Sequence, residues 1–261
     1  MKKIILKVVL LVLTTSFTIT KYSKTPKSGI IVFEKKGTIT NIKNFNTSLE
    51  DFSDSYIKNI KTSILLEREK DSMPVNFDEL EMLLSFSKIN LKKSYLDQFE
   101  SDSLFYYHKY QDSLIIEYEK VGANIIGDYT VIYRNSETFN KLSKKDSTTF
   151  YLTKESYVFI NEKNLIIQEY KEDSKVIFGY KCFKIVLIVK EENENDLEYN
   201  QAFKNYNEIY ECYVTEEIKS KFHPIIKYKS LLKKYYPLEI KKKYSMLKSA
   251  EINYKIESIN F

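Results

Sequence analysis

The sequence predicts a mainly β fold of the α+β class, in which antiparallel strands are accompanied by a few helices. The first observation is the composition, because the 261 residues include 22 Tyr and 16 Phe but only 5 Gly. Aromatic and β-branched residues favour half-buried strands, and scarce glycine argues against glycine-rich nucleotide-binding folds. The second observation is that short polar turns separate most of the strand-like segments. This spacing predicts antiparallel pairing, since parallel pairs need long crossovers.

The N-terminus predicts a signal peptide at residues 1–20, which leaves residues 21–261 as a single β-rich domain. Lys2 and Lys3 precede an apolar run at residues 4–13, and small hydroxylated residues follow it. This order is typical of a secretory signal, and the run is shorter than the roughly 20 residues of a membrane span. An uncleaved N-terminal anchor is the alternative. We therefore expect an exported protein in the periplasm, at the outer-membrane periphery or outside the cell.

The charge balance argues against nucleic acid as a partner. The whole chain has 41 Lys+Arg and 36 Asp+Glu, a net charge of +5. Loss of Lys2, Lys3 and Lys7 with the signal leaves 38 against 36, or +2. Nucleic-acid binding needs concentrated basic surface, and Arg68 and Arg134 are the two arginines available for bidentate phosphate contacts.

The first part of the mature chain predicts a strand at residues 28–34 and then helices at 49–64 and 78–86, where apolar residues recur every three or four positions. Beyond residue 86 the apolar pattern changes to alternation, which predicts strands. These strands lie at residues 89–99, 103–107, 113–118, 123–133, 148–160 and 165–170. A short helix is predicted at residues 136–144.

The last third of the chain predicts a long hairpin followed by a helix. Residues 175–190 are strongly apolar, as in a strand covered on both faces, and residues 191–207 form a polar loop. The return strand is predicted at residues 209–215. Helix-start signals follow at Thr215 and Pro224, and Pro237 ends the helical pattern. Two final strands are predicted at residues 238–244 and 250–259.

The two cysteines are candidates for a disulfide. Cys182 and Cys212 lie in segments predicted to pair across the polar loop, and the midpoint between them, residue 197, is inside that loop. An oxidising compartment would allow a structural bond between them. The alternative is two buried free thiols that pack as small hydrophobic groups.

The sequence indicates no catalytic residue, metal site or cofactor. The histidines, His108 and His223, show no metal-ligand spacing, and no glycine-flanked serine resembles a hydrolase nucleophile. We expect both histidines to be partly exposed strand or turn residues. The many neighbouring acid pairs are typical of solvated faces in a chain of which 30% is charged.

A lysine-rich stretch is a candidate surface for anionic lipid head groups. Between Lys219 and Lys248 there are ten lysines and one acid, Glu239, with several tyrosines among them. The residues chosen as candidates are Lys233, Lys234, Lys241, Lys242 and Lys243. The alternative is that lysine stems cover strand and helix edges.

Several segments resemble the GLPGLI family of exported Bacteroidota proteins. The resemblance extends over roughly residues 95–261 and is most specific at 175–240. Residues 99–105 are similar to the family's early strand pair, and residues 210–218 to its second conserved segment. The matching motif residues are Gly179, Tyr180, Lys181, Cys182, Lys184, Thr215, Glu217, Ile218, Pro237 and Leu238. The chain lacks the family's usual tryptophans and both glycines of its eponymous motif, so it resembles a divergent member.

This resemblance implies the architecture of lipoprotein-carrier-like proteins. In that architecture a curved antiparallel sheet forms an open half-barrel, and a few helices pack on its concave side. The resemblance carries over no catalytic residue. Some proteins of this architecture hold acyl chains in an apolar cavity. Together with the strand-rich, aromatic pattern, this leads us to expect a non-enzymatic, monomeric binding protein that holds a lipid or acyl chain in the half-barrel. The alternative is an interaction protein with a filled core that docks on an outer-membrane transporter, or on another envelope protein, by strand addition.

Overall fold

The residues that the structure describes form one open antiparallel sheet of eleven strands with three helices, which confirms the mainly β prediction. The computed structural model describes residues 25–100, 103–145, 148–190 and 206–261. The predicted signal peptide and almost all of the predicted loop at 191–207 lie outside these ranges. The three helices in the described residues are α1 Ile42–Lys70, α2 Phe77–Glu100 and α3 Lys229–Lys234.

The strands form two sequential meanders that meet at the first and last strands. The strands of the first meander are β1 Ser28–Ile39, β2 Leu104–Gln111, β3 Leu114–Val121, β4 Asn124–Tyr133, β5 Thr138–Lys145 and β6 Thr148–Ser156. Those of the second are β7 Leu165–Ile177, β8 Tyr180–Lys190, β9 Asn207–Thr215, β10 Tyr236–Tyr244 and β11 Ala250–Asn260. The spatial order runs β6-β5-β4-β3-β2-β1-β11-β10-β9-β8-β7, so β6 and β7 are the two open edges.

One face of the sheet, called the inner face, holds most of the core. Side chains alternate between faces along a strand, so Leu238 and Ile240 of β10 are fully buried while Lys241 and Lys243 face outward. Residues 216–235, called the inner segment, cover this face with side chains that include Phe222, which is 1% exposed. The interior therefore contains the chain's own aromatic and aliphatic groups.

The first two helices form an antiparallel hairpin that packs on β1 and β11. Asn41 caps α1 by accepting a hydrogen bond from the Asn44 N–H at 3.0 Å. Gly37 of β1 lies against the end of α2, where an added Cβ would come within 2.4 Å of the Phe99 Cα. Only glycine allows this close approach of helix to sheet.

Four expectations for local structure are wrong. Residues 89–99 continue α2 instead of forming a strand, and residues 136–144 lie in a turn and in β5 instead of a helix. Residues 175–190 are not one strand, since Phe178 and Gly179 adopt positive φ angles of 49° and 84° and turn the chain from β7 into β8. Most of the inner segment is irregular, and its helix is the short α3.

Candidate functional site

The family-motif residues gather where β8, β9 and β10 begin or end. Gly179 occupies the β7–β8 turn, and Lys181 donates its backbone N–H to the Glu217 carboxylate at 3.1 Å. The hydroxyl of Thr215, which is fully buried, accepts from the Glu217 N–H at 3.2 Å. Tyr180 follows the turn, and its pKa is raised by desolvation and then by the nearby Glu217 carboxylate. These contacts join the turn to the chain that follows β9.

The remaining motif residues stabilise the sheet and its cover. Ile218 and Leu238 are buried in the core, and the Pro237 carbonyl accepts a hydrogen bond from His223 Nε2 at 3.1 Å. Lys184 lies on the outer face, where its ammonium is 3.1 Å from the Glu211 carboxylate. The motif thus forms packing and hydrogen-bond contacts in this chain and does not line one cleft.

The two cysteines are free, so the predicted disulfide is wrong and the alternative of two buried thiols describes them. Cys212 is opposite Ile185 in the β8–β9 register. Cys182 is three positions from Ile185 along β8, and an odd separation places its side chain on the other face. The prediction assumed a hairpin centred at residue 197, which would place the two cysteines opposite each other. In the structure the β8–β9 pairs are shifted from that register, so the cysteines are not partners.

Thiol labelling checks this arrangement. We expect no alkylation of the native protein at pH 8, because burial raises the pKa of Cys182 to about 12 and also raises that of Cys212. In denaturant without reductant, iodoacetamide should add to both thiols, as measured by intact mass. A requirement for reductant before alkylation would contradict the free-thiol arrangement.

The five candidate lysines do not form one cationic surface, and that expectation is wrong. Lys241 and Lys243 point outward and pair with Glu251 and Glu211 at 3.3 and 2.5 Å. Strand alternation sends Lys242, which lies between them, to the inner face. The other two lysines are exposed on α3.

The inward lysine is held by an acid and two aromatic rings. Lys242 Nζ lies 2.6 Å from a Glu208 carboxylate oxygen and within 5.3 and 4.6 Å of the Tyr210 and Tyr244 ring centroids. Its side chain is only 15% exposed. An ammonium paired and stacked in this way stabilises the inner face and is not available to a membrane surface.

Both histidines are fully buried, which corrects the expectation of partial exposure. His223 Nδ1 accepts from the Ile225 and Ile226 N–H groups, each at 3.0 Å, and its Nε2 donates to the Pro237 carbonyl. Burial and the neighbouring His108 lower the pKa of His223 to about 3. A neutral imidazole with both nitrogens bonded to backbone holds the inner segment against β10.

His108 and Glu117 form a buried pair across β2 and β3. The two residues are directly opposite in the register, and His108 Nδ1 lies 2.7 Å from Glu117 Oε1. A carboxylate–imidazole pair orients a catalytic base when a nucleophile contacts the second ring nitrogen. Within the described part of the chain, His108 Nε2 has no hydrogen-bond partner, so no nucleophile is joined to it there.

The most exposed apolar feature is one face of α2, which we call the α2 stripe: Met82, Leu83, Phe86 and Ile89. These side chains are 54%, 55%, 60% and 62% exposed. Their spacing of three and four residues places them on one side of the helix. Leu80 and Leu84, on the opposite side, are 5% and 3% exposed. Thus α2 has one apolar face in the core and a second in solvent.

The apolar surface continues into the turn that joins α1 to α2. Met73 in this turn is 53% exposed, and Phe77 at the start of α2 is 59% exposed. Between residues 67 and 81 the chain has six exposed acidic residues and only two basic residues. The acids are Glu67, Glu69, Asp71, Asp78, Glu79 and Glu81. Glu81 is paired with Lys61 of α1, so counting that lysine with Arg68 and Lys70 leaves three bases against six acids. The tip of the hairpin therefore combines large apolar side chains with a net charge of −3.

The hairpin holds its shape through ion pairs between α1 and α2. Lys88 contacts the carboxylates of Glu50 and Asp54, each at 2.5 Å, and Lys92 also pairs with Glu50. Hydrogen bonds from Lys88 and Lys92 lower the pKa of Glu50 to about 2. These contacts fix the orientation of α2, so the α2 stripe is presented outward.

The α2 stripe was missed because the sequence pattern was assigned to two elements. Residues 78–86 were predicted as a helix and 89–99 as a strand, so no single helix with two apolar faces was considered. The signal was present in the adjacent apolar residues Met82, Leu83 and Leu84, which a helix directs to different sides.

No family model matches the chain, and no curated protein matches it. Among the described residues, no cluster of His, Cys, Asp and Glu has the arrangement of a metal site. In the same residues, no helix has the length and apolar character needed to cross a membrane.

Proposed function

We propose that the protein is an exported, non-enzymatic interaction protein of the cell envelope that docks on a partner protein through the α2 stripe. The observation that carries this proposal is the second apolar face of α2, exposed opposite its buried face. Contiguous exposed apolar surface marks interaction sites in soluble domains. An apolar helix face typically binds in a hydrophobic groove of its partner, with anchors at three- and four-residue spacing.

The filled interior favours this function over that of a lipid carrier. Ile226, Leu231 and Leu232 of the inner segment are each at most 2% exposed. They belong to the same core as Ile185 and Leu187 of β8, on the inner face where an acyl chain would have to bind. A lipid would have to displace these packed side chains.

The charges around the α2 stripe favour a protein over an anionic membrane. The acids at the hairpin tip would be repelled by the negative surface potential of anionic lipids. A protein groove with apolar walls and a rim of Lys or Arg complements both the stripe and the acids. We therefore assign the occupant as a protein with such a groove.

Docking by strand addition is less favoured at the edge strand β7. Its register with β8 is interrupted between Tyr170 and Ser174, and Lys171, Glu172 and Asp173 lie within that bulge. Bulges and charged side chains on an edge strand discourage further pairing. The helix face is the better interface.

A pair of charge variants tests the proposal. In gently solubilised envelopes of cells that make the protein, we expect it to migrate on native gels in a complex larger than the monomer. Phe86→Glu places a charge in the middle of the α2 stripe and should release the monomer, because burying an unpaired carboxylate is costly. The expected loss of complex is at least about tenfold, which corresponds to about 1.4 kcal/mol.

The matched control is Ser94→Glu, which adds the same charge at an exposed position two turns further along α2. This variant should retain the complex. Equal migration of the wild type and Phe86→Glu would contradict docking through the stripe. Equal loss in both variants would indicate a general charge effect and would also contradict it.

A further inference from the structure

A cavity of about 610 Å³ lies at one end of the sheet, remote in sequence from the α2 stripe. The β2–β3 turn contributes Asp112, the β4–β5 turn contributes Arg134, and the inner segment contributes residues 219–222 and 232–233. This volume is in the range of small-molecule sites and greatly exceeds the space needed by a single water.

The charge of the cavity lining is strongly positive. Four cations line it, Arg134, Lys219, Lys221 and Lys233, against one carboxylate, that of Asp112. Lys221 also pairs with Glu137. If Lys221 is discounted for this reason, three cations remain opposite one acid. The lining thus favours an anionic group.

Arg134 is fixed in position by backbone contacts. Its Nη1 donates to the Asp112 carbonyl at 2.7 Å and to the Pro26 carbonyl at 2.8 Å. Its guanidinium also lies 5.5 Å from the ring centroid of the buried Tyr110. An arginine has five N–H donors, so these two bonds leave others for a ligand. A fixed guanidinium fork is the preferred protein partner of phosphate.

The lysine neighbours are held by the short helix α3. Lys219 Nζ donates to the carbonyl of Lys234 at 3.2 Å, which places its ammonium beside the end of α3. Lys233 extends from α3 into the lining. Phe222 and Leu232 also border the cavity, but their side chains are buried, so they support its wall from behind. The groups available to a ligand are therefore chiefly the cations.

A buried polar group lies beneath this lining. Tyr110 is 1% exposed, and within the described ranges its hydroxyl has no hydrogen-bond partner of ordinary geometry. Desolvation by burial raises the pKa of Tyr110 to about 12, and the side chains of Ser220, in the cavity lining, and of Tyr236 oppose that rise. The Ser220 hydroxyl itself donates to the Phe222 carbonyl at 3.0 Å and accepts from the Phe222 N–H at 3.2 Å, so it is a fixed part of the cavity wall.

We infer that this cavity binds a phosphate group carried by an organic molecule. Arg134, Lys219 and Lys233 bind the phosphate oxygens, and the organic part occupies the rest of the cavity, whose volume exceeds that of a phosphate group. The same chemistry is present in a free phosphomonoester and in the head group of an anionic phospholipid. The inference is independent of the docking function, since none of these residues belongs to α2.

Calorimetric titration of the mature chain with phenyl phosphate tests the inference. We expect saturable binding, with inorganic phosphate weaker because it leaves most of the cavity volume unfilled and benzoate weaker because it carries one charge. The double variant Lys219→Gln/Lys233→Gln should reduce the affinity for phenyl phosphate at least about tenfold, since it removes two charged donors. Lys234→Gln, one position along α3 and outside the lining, should stay within about twofold of the wild type.

A second titration distinguishes the source of the phosphate. Vesicles containing 30% phosphatidylglycerol in phosphatidylcholine are mixed with the protein and floated. Flotation that the double variant loses and phenyl phosphate inhibits would assign the site to a lipid head group. Binding of phenyl phosphate without flotation would assign it to a soluble phosphomonoester. The inference is overturned if wild type binds neither probe, or if Lys234→Gln weakens binding as much as the double variant.

Discussion

Replacement of Phe222 by alanine is expected to lower the free energy of unfolding by about 3–5 kcal/mol, the usual cost of a large-to-small change at a buried aromatic. Phe222 is 1% exposed, and its ring lies 5.1 Å from that of Tyr157 and 6.1 Å from that of Phe159. The substitution removes aromatic contacts that pack the inner segment against the chain following β6.

Chemical denaturation of the purified protein measures this loss. The control is Phe178→Ala, because Phe178 is 54% exposed in the β7–β8 turn and its removal should change stability by no more than about 0.5 kcal/mol. A loss below about 1 kcal/mol for Phe222→Ala would mean that the inner segment does not fill the sheet's inner face. The argument against a lipid carrier would then fail.

The second large effect is expected in the acid stability of the protein. The pKa of His223 falls from its ordinary value of 6.5 to about 3 on folding, through burial and then through neighbouring His108. Between these two values the unfolded chain binds a proton that the folded chain does not, so stability decreases as the pH falls. The slope is about 1.4 kcal/mol per pH unit, which gives a loss of about 3 kcal/mol between pH 7 and pH 4.

Comparison with His223→Asn isolates this contribution from that of the carboxylates. Asparagine retains an oxygen that can accept from the N–H groups two and three positions later, but it does not titrate. The variant should be less stable at pH 7 by about 1–3 kcal/mol, since it loses the bond to Pro237. Its further loss from pH 7 to pH 4 should be smaller than that of the wild type by about 3 kcal/mol. Equal losses, measured by urea denaturation at each pH, would show that His223 is not held neutral.

The fold class was predictable because it depends on features that are local in sequence. Aromatic and β-branched segments separated by short polar turns predict antiparallel strands, and the strands at 28–34, 209–215, 238–244 and 250–259 lie where they were expected. The helix at 49–64 was also found, within the longer α1. In each case the periodicity of apolar residues within one segment was sufficient to predict its secondary structure.

The errors in predicted secondary structure arose where the apolar pattern fits both the helical period and the two-residue period of a strand. Residues Leu91, Tyr95 and Phe99 recur at four-residue spacing, which is helical, but they were combined with Ile89 into an alternating strand. The β7–β8 turn was missed because the sequence remains apolar through it. Phe178, which adopts a positive φ in this turn, is a residue type that rarely does so. A bulky residue with positive φ gives no turn signal in the sequence.

The candidate site depended on contacts that no local pattern records. Whether Cys182 and Cys212 face each other is decided by strand register, and whether Lys242 points inward is decided by alternation from the buried Ile240. The cavity around Arg134 unites two turns and α3, which are separated by about a hundred residues. Such a site is visible only in three dimensions.

Photo-crosslinking at position 86 tests the central claim, docking of the α2 stripe on a partner protein, most directly. The substitution Phe86→p-benzoylphenylalanine is made in the full chain, in cells that make the protein, and Phe178→p-benzoylphenylalanine is the control at an exposed position on the β7–β8 turn. We predict that irradiation at position 86 gives one protein adduct whose cross-linked residues lie in an apolar groove rimmed by Lys or Arg. The control should not give this adduct. Adducts with lipid, with a second copy of this chain or with the chain's own residues would contradict docking of α2 on a partner protein.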